Sequence, residues 1–213
     1  WAKTVDGVRW IRAVRSASNG GAIYVAYQAG IESDLTIHNA YFHNIWITGN
    51  VTNTSSNGSG SGGAIYYEGN GNITLTGDTH VYSTHNKGYG GFLYVNRAKD
   101  ITIGNTDGSS VNYFESLHVQ DGRGGVLYLQ NVSGTVSVLG DTTINTVRYR
   151  LLGGVIYFAG SDTEGMNGNL VMDGNISVTD VRVHTDGGWY SSQGGFIYFK
   201  GQDLTITGSL TID

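Results

Sequence analysis

The residues of this chain best suited to chemistry are its aspartates. Asp78 and Asp141 each stand inside a Gly-Asp-Thr triplet. Paired carboxylates activate water, bind calcium or abstract a proton in β-helical lyases and hydrolases that act on polysaccharides, often with Arg or Lys alongside. Asp34, Asp100 and Asp203 recur at a second shared position, and Asp180, Asp186 and Arg182 cluster near a long loop. However, Asp78 and Asp141 belong to repeats two apart, which at parallel-strand spacing separates them by roughly 10 Å. Aspartate at a turn is first of all a residue that satisfies backbone N–H groups. The dispersed pattern reads as a chain without a catalytic constellation, and no enzyme activity is expected.

Histidine offers no better site. His38 with His43, and His80 with His85, lack the spacing of a zinc ligand pair, and neither a His-Glu-x-x-His helix motif nor an acidic calcium loop occurs. Cysteine is absent, which removes disulfides and thiolate metal sites. No metal and no cofactor are expected. Asn-x-Ser/Thr sequons stand at Asn50, Asn53, Asn57, Asn72, Asn131 and Asn175. They become glycans only where the secretory route supplies them.

The feature that does recur is tyrosine. Tyr24, Tyr66, Tyr94, Tyr128, Tyr157 and Tyr198 each close a phrase of two glycines, a hydrophobe, and Ile or Leu, beginning at Gly20, Gly62, Gly90, Gly124, Gly153 and Gly194. These phrases follow one another at intervals of 42, 28, 34, 29 and 41 residues, a period that marks a solenoid rather than packed helical repeats. Strands send successive side chains to opposite faces. The Ile/Leu position therefore shares the core face with the apolar residue two further on, and Tyr points outward. Stacked repeats predict an outer Tyr column flanked by Ala22, Ala64, Phe92, Val126, Val155 and Phe196. Such a stripe is a candidate surface for a protein partner or a glycan, or a ladder that stiffens the sheet by stacking.

The elements that position this column can be read from the same period. A second strand follows each phrase: Leu35-Thr36-Ile37, Ile73-Thr74-Leu75, Ile101-Thr102-Ile103, Val136-Ser137-Val138, Leu170-Val171-Met172 and Leu204-Thr205-Ile206. Its outer positions are apolar and its middle one is mostly Thr or Ser, which predicts an outer Thr ladder. It is entered through Asp34, Asn72, Asp100, Thr135, Asn169 and Asp203, types that bond their own backbone in turns. A third strand follows a further glycine, as in Gly77-Asp78-Thr79-His80-Val81 and Gly140-Asp141-Thr142-Thr143-Ile144, and again in Gly208-Ser209-Leu210-Thr211-Ile212. Its partners are read as Asn44-Ile45-Trp46-Ile47, Val111-Asn112-Tyr113-Phe114 and Asn175-Ile176-Ser177-Val178. The stretch 7–15 reads as the last strand of a preceding coil.

The expectation is all-β: one right-handed parallel β-helix over residues 1–213, of about six coils with three strands each. Residues 51–61, 105–110 and 161–168 are read as protruding loops. Thirty-four glycines, no proline and abundant Val, Ile, Thr and Tyr suit strands joined by tight turns. The chain opens at Trp1 without Met and closes in a strand pattern, so it reads as a slice of a longer protein. No apolar run is long enough to span a membrane. A net charge of −5 with twelve scattered Lys and Arg gives no basic footprint for nucleic acid.

The phrase Gly-Gly-Ala-Ile at residues 20–23 and 62–65, with the strand Asn72-Ile73-Thr74-Leu75 after it, resembles the passenger repeats of the chlamydial polymorphic membrane proteins. Those autotransporter repeats pair Gly-Gly-Ala-(Ile/Leu/Val) with Phe-x-x-Asn, which Tyr41-Phe42-His43-Asn44 matches with Tyr in place of Phe. The resemblance covers most of the chain as a rhythm, and its Gly-Gly-Ala motif is strict in two of six repeats. It implies a secreted, surface-displayed β-helix with an adhesive role and no catalytic residues. The functional expectation is an extracellular or cell-surface adhesin passenger or structural spacer. Its partner would be a protein or glycan receptor, or copies of itself. The rival readings are a self-assembling filament or sheath subunit, and a β-helical polysaccharide lyase or hydrolase.

Overall fold

A computed structural model of the chain describes residues 2–5, 8–48, 60–160, 167–183 and 193–213. The described residues are all-β, with no helix, and so include no helix long and apolar enough to cross a membrane. Two sheets carry the structure. The six-stranded sheet takes one strand from each glycine phrase: Ile23–Val25, Ile65–Tyr67, Leu93–Ala98, Leu127–Val132, Ile156–Ala159 and Ile197–Lys200, in chain order and all parallel. The remaining strands form one strongly curled twelve-stranded sheet. All its pairs are parallel except that Ala2–Val5 lies antiparallel to Val8–Ser16.

The two glycines of each phrase serve different physical needs. The first takes positive φ in all six repeats, from 61° to 68°, a region that side chains with a Cβ rarely enter. The second is required by its neighbour. A Cβ on Gly63 would lie 1.9 Å from the carbonyl oxygen of Gly91, and one on Gly91 would lie 2.0 Å from that of Gly125. The same clash recurs from Gly21 to Gly63, Gly125 to Gly154 and Gly154 to Gly195. Backbone hydrogen bonds knit this turn from one repeat to the next, as from Gly63 N–H to Gly90 carbonyl at 2.8 Å.

Registers agree with the sequence reading for the first two strands. Ile23, Ile65, Leu93, Leu127, Ile156 and Ile197 align as one column, with the four central members at 0–3% exposure. In the second strand Ile73 aligns with Ile101, Val136, Leu170 and Leu204, and Thr74 aligns with Thr102 and Ser137 on the outer side. The apolar columns meet in a single core running through the stacked repeats.

Three expectations need correction. First, the third strand is bent. After the segment around Val81 the chain turns at one left-handed residue, Asn44, Ser83, Ser116, Thr146 or Asp180, with φ between 55° and 57°. It then runs on as a further segment ending at Ile47, Asn86, Val119, Tyr149 or Val183. Second, the partner of His80-Val81 is Tyr41-Phe42, not Ile45-Trp46, which instead pairs with Thr84-His85. Asn44 sits at the bend, where Asn is among the side chains that best tolerate positive φ. Third, Ala64, Phe92, Val126 and Val155 do not flank the tyrosines but lie in the core, at 0–1% exposure. The N–H groups of Ala64 and Ile65 both donate to the Phe92 carbonyl, at 3.0 and 2.9 Å. The chain therefore bends between them, and strand alternation starts only at Ile65. Phe92 packs between Phe42 and Phe114, with centroids at 5.8 and 5.5 Å.

The stretch 8–16 does join the sheet as expected, with Trp10 to Ser16 in register with Tyr41 to Ile47. The loop at 51–59 and most of the loop at 161–168 lie outside the described residues.

If the second glycine is set by the facing carbonyl, Gly91→Ala should lower unfolding free energy by about 1–3 kcal/mol through overpacking. Gly195, where an added Cβ meets nothing within 4 Å, should accept Ala within about 0.5 kcal/mol in this chain. Chemical denaturation of the two variants checks this, and equal losses would contradict it.

Candidate binding surfaces

The turn carboxylates do not converge on a substrate position; they connect repeats. Asp34 Oδ1 accepts the N–H of Asn72 at 2.7 Å, Asn72 Oδ1 accepts that of Asp100 at 3.2 Å, and Asp100 Oδ1 accepts that of Thr135 at 2.7 Å. The sequence reading had these side chains bonding their own backbone, whereas they reach the next repeat. Asp78 and Asp141 occupy equivalent positions two repeats apart, as expected. Asp78 accepts the N–H of Val111 at 2.9 Å, and Asp141 accepts that of Asn175 at 3.1 Å. Asp203 lies exposed before the last second-strand segment.

Asp180 and Arg182 are brought together, with Arg148 as a third member; Asp186 lies outside the described residues. Arg148 donates to Asp180 Oδ2 at 2.8 Å, and Arg182 Nε forms an ion pair with Oδ1 at 2.5 Å. The Arg148 hydrogen bond, with the two guanidinium charges, holds the Asp180 carboxyl below the usual carboxylate range. Among the described residues, no group of three or more His, Asp or Glu is placed to hold a metal ion. His38 bonds Thr76 Oγ1 at 3.0 Å across the stack.

The tyrosines form the expected column, and its geometry decides what it offers. Successive rings from Tyr24 to Tyr198 stack at 4.5–5.0 Å with interplanar angles of 1–8°. Each ring thus covers its neighbours' faces. Tyr66, Tyr94, Tyr128 and Tyr157 are only 5–7% exposed, whereas Tyr24 is 54% exposed. Tyr89 stacks on Tyr128 from outside at 4.8 Å, and the Arg123 guanidinium donates to the Tyr157 hydroxyl at 3.2 Å. Tyr66 donates to Glu68 at 2.7 Å and Tyr128 to Gln130 at 3.0 Å. Burial, with the Glu68 charge, pushes the Tyr94 phenol up to about 12. Burial also drives Tyr66 and Tyr128 upward. Between its end members Tyr24 and Tyr198, the column presents ring edges rather than open aromatic faces.

The sequence reading missed a second outward surface on the bent third strand. Tyr41, His80 and Tyr113 form one row, His43, Tyr82 and Glu115 the next, and Trp46, His85 and His118 a third beyond the bend. Tyr41 and His80 meet at 4.9 Å, Tyr82 and Tyr113 at 5.2 Å, and Trp46 stacks on His85 at 4.9 Å and 15°. Trp46 is 43% exposed. Burial lowers the pKa of His80, against the opposing charge of Asp78, and lowers that of His85 together with the nearby Lys87. Single-residue spacing hides these rows, since each repeat contributes one member at its own interval.

No protein-family model matches the chain, and neither the curated proteins nor the solved structures hold a match.

Two outcomes follow from this geometry. Tyr128→Ala should cost about 3–5 kcal/mol, as for other large buried rings, whereas Tyr128→Phe keeps the stack and should cost about 0.5–1.5 kcal/mol for its hydrogen bond. Denaturant midpoints that rank the two equally would contradict a supporting ladder. Because the folded pKa of His80 and His85 lies below the ordinary 6.5, the unfolded chain binds protons first on acidification. Stability is therefore whole above that value and falls as pH drops toward the folded pKa. Melting followed across this range should show that decline, and His80→Gln with His85→Gln should flatten it.

Proposed function

We propose that the chain is a right-handed parallel β-helix of about six coils, each with its third face bent at a left-handed residue. It works outside the cell or on its surface as an adhesive passenger or structural spacer, binding through outer strand faces and loops, and it is not an enzyme. The observation that carries this reading is the use of the turn carboxylates. Asp34, Asp78, Asp100 and Asp141 each commit one carboxylate oxygen to a backbone N–H group of the next repeat. They hold a stack together and do not face one another across a cleft, whereas catalysis on a polysaccharide needs acid and base converging on one bond. What the stack offers instead is a long, regular outer surface of Thr, Tyr, His and Arg rows. Its candidate contacts include Tyr24, the hydroxyl edges of Tyr66, Tyr94, Tyr128, Tyr157 and Tyr198, and the ring rows around Tyr82.

The test is binding of the purified, fluorescently labelled chain to cultured cells, with sedimentation velocity and release of reducing sugar from polygalacturonate measured in parallel. Saturable cell binding by a monomer with no sugar release is the expected result. Reversible polymerisation without cell binding would favour a filament or sheath subunit. Sugar release abolished by Asp141→Asn would establish the lyase or hydrolase reading.

A further inference from the structure

The outermost row beyond the bend has a composition that the scattered cations of the sequence do not announce. Backbone register places Arg15, Trp46, His85, His118, Arg148 and Arg182 side by side, one per repeat. At the parallel-strand spacing of about 4.8 Å, the six positions extend over roughly 24 Å. The row itself contains no acidic residue, in a chain of net charge −5.

Near one end, Arg148 and Arg182 share the single carboxylate of Asp180, so the trio keeps a net positive charge. The Arg182 side chain is 71% exposed. At the centre His85 meets His118 edge to face at 4.7 Å and lies under the Trp46 indole. Charged or titratable groups beside the two imidazoles include Lys87 for His85, Arg148 in register with His118, and each imidazole for the other. Glu115 lies one row away, accepting the Tyr113 hydroxyl at 3.0 Å.

We propose that this row is a binding track for a linear acidic glycan bearing carboxylates or sulfates, lying along the stacking direction with one sugar ring on Trp46. The charge of the row selects the anion. Guanidinium groups take carboxylate or sulfate oxygens in charge-assisted, two-pronged hydrogen bonds. Trp46, one face stacked on His85 but 43% exposed overall, supplies apolar surface for the C–H side of a sugar ring. A polymer with regularly repeated charges meets several such positions at once, so contacts that are individually weak add as avidity. Histidine makes the track stronger in acid, because binding an anion favours the imidazolium over the neutral ring. The proposal deepens the adhesive reading by naming its ligand class, and rests on that reading only for its extracellular setting.

Calorimetric titration of the intact chain with polygalacturonate, dextran sulfate and uncharged dextran, at about pH 7.5 and about pH 5.5, tests it within the histidine range. One or both polyanions should bind, dextran should not, and binding should tighten at the lower pH and weaken with salt. The two polyanions separate carboxylate from sulfate preference. Trp46→Ala should weaken binding roughly two- to tenfold, as for loss of one aromatic contact. His85→Gln with His118→Gln should remove the acid enhancement while leaving the affinity at the higher pH nearly unchanged. Trp46 is exposed and the two histidines are half-buried, and melting curves verify that the variants fold. Dextran binding as tight as the polyanions, indifference to both variants, or capture only by anionic lipid vesicles or an oligonucleotide would overturn the track. Retained cell binding without glycan binding would overturn the track alone, whereas glycan binding without cell binding would overturn only the adhesive reading.

Discussion

A carbonyl oxygen stands where the second glycine of each of the first five phrases would carry its Cβ, and the rest of the structure depends on that approach. Because the contact is made by backbone on backbone, it leaves no side chain able to adjust the distance. With the separation set at this turn, the Ile/Leu column that follows immediately is held at sheet spacing, and so is the Tyr column beside it. Rings at 4.5–5.0 Å with nearly parallel planes are the expression of backbone spacing in side-chain terms. Their stacking stabilises a separation that the glycines already permit.

Polar groups follow the same rule of reaching one repeat onward. The carboxylates and amides at the turns bond the next repeat's N–H groups, and inside the stack Asn112 donates to the Leu139 carbonyl at 2.9 Å and to Thr142 at 3.2 Å. Tyr67, fully buried, donates back to the Ser33 carbonyl at 2.6 Å and accepts from Gly71 N–H at 2.8 Å. Bends that would otherwise leave backbone groups unpaired are thus satisfied by neighbours rather than locally. Each repeat is incomplete alone, and cohesion belongs to adjacent pairs.

Much of the fold was legible because it is written in strict alternation. The Ile23 to Ile197 column and the Thr74, Thr102 and Ser137 ladder follow from parity alone. Parity failed where the backbone leaves the extended region. The left-handed residue at Asn44 resets the alternation, so Ile45-Trp46 looked like the partner of His80-Val81 when Tyr41-Phe42 is. The equivalent bends before Leu93 and Leu127 likewise send Phe92 and Val126 inward against expectation. The tyrosines were correctly placed in one column, but their burial could not be read, since it comes from contact between residues about 30 to 40 positions apart. The row from Arg15 to Arg182 was hidden for the same reason. Its members recur at intervals of 31, 39, 33, 30 and 34 residues, and only pairing brings them together.

The near-identity of the glycine turn in every repeat has a consequence for how such a chain can change over generations. A glycine phrase meets another glycine phrase on each side, so the junction between any two repeats presents the same backbone surfaces. Recombination that removes or duplicates one whole unit, from phrase to phrase, rejoins compatible ends and preserves the sheet. Gain or loss of a few residues within a strand would instead throw every following column out of phase. Length along the stack is therefore inherited as a copy number, and a gene encoding it can lengthen or shorten the outer face in whole steps without redesigning its core.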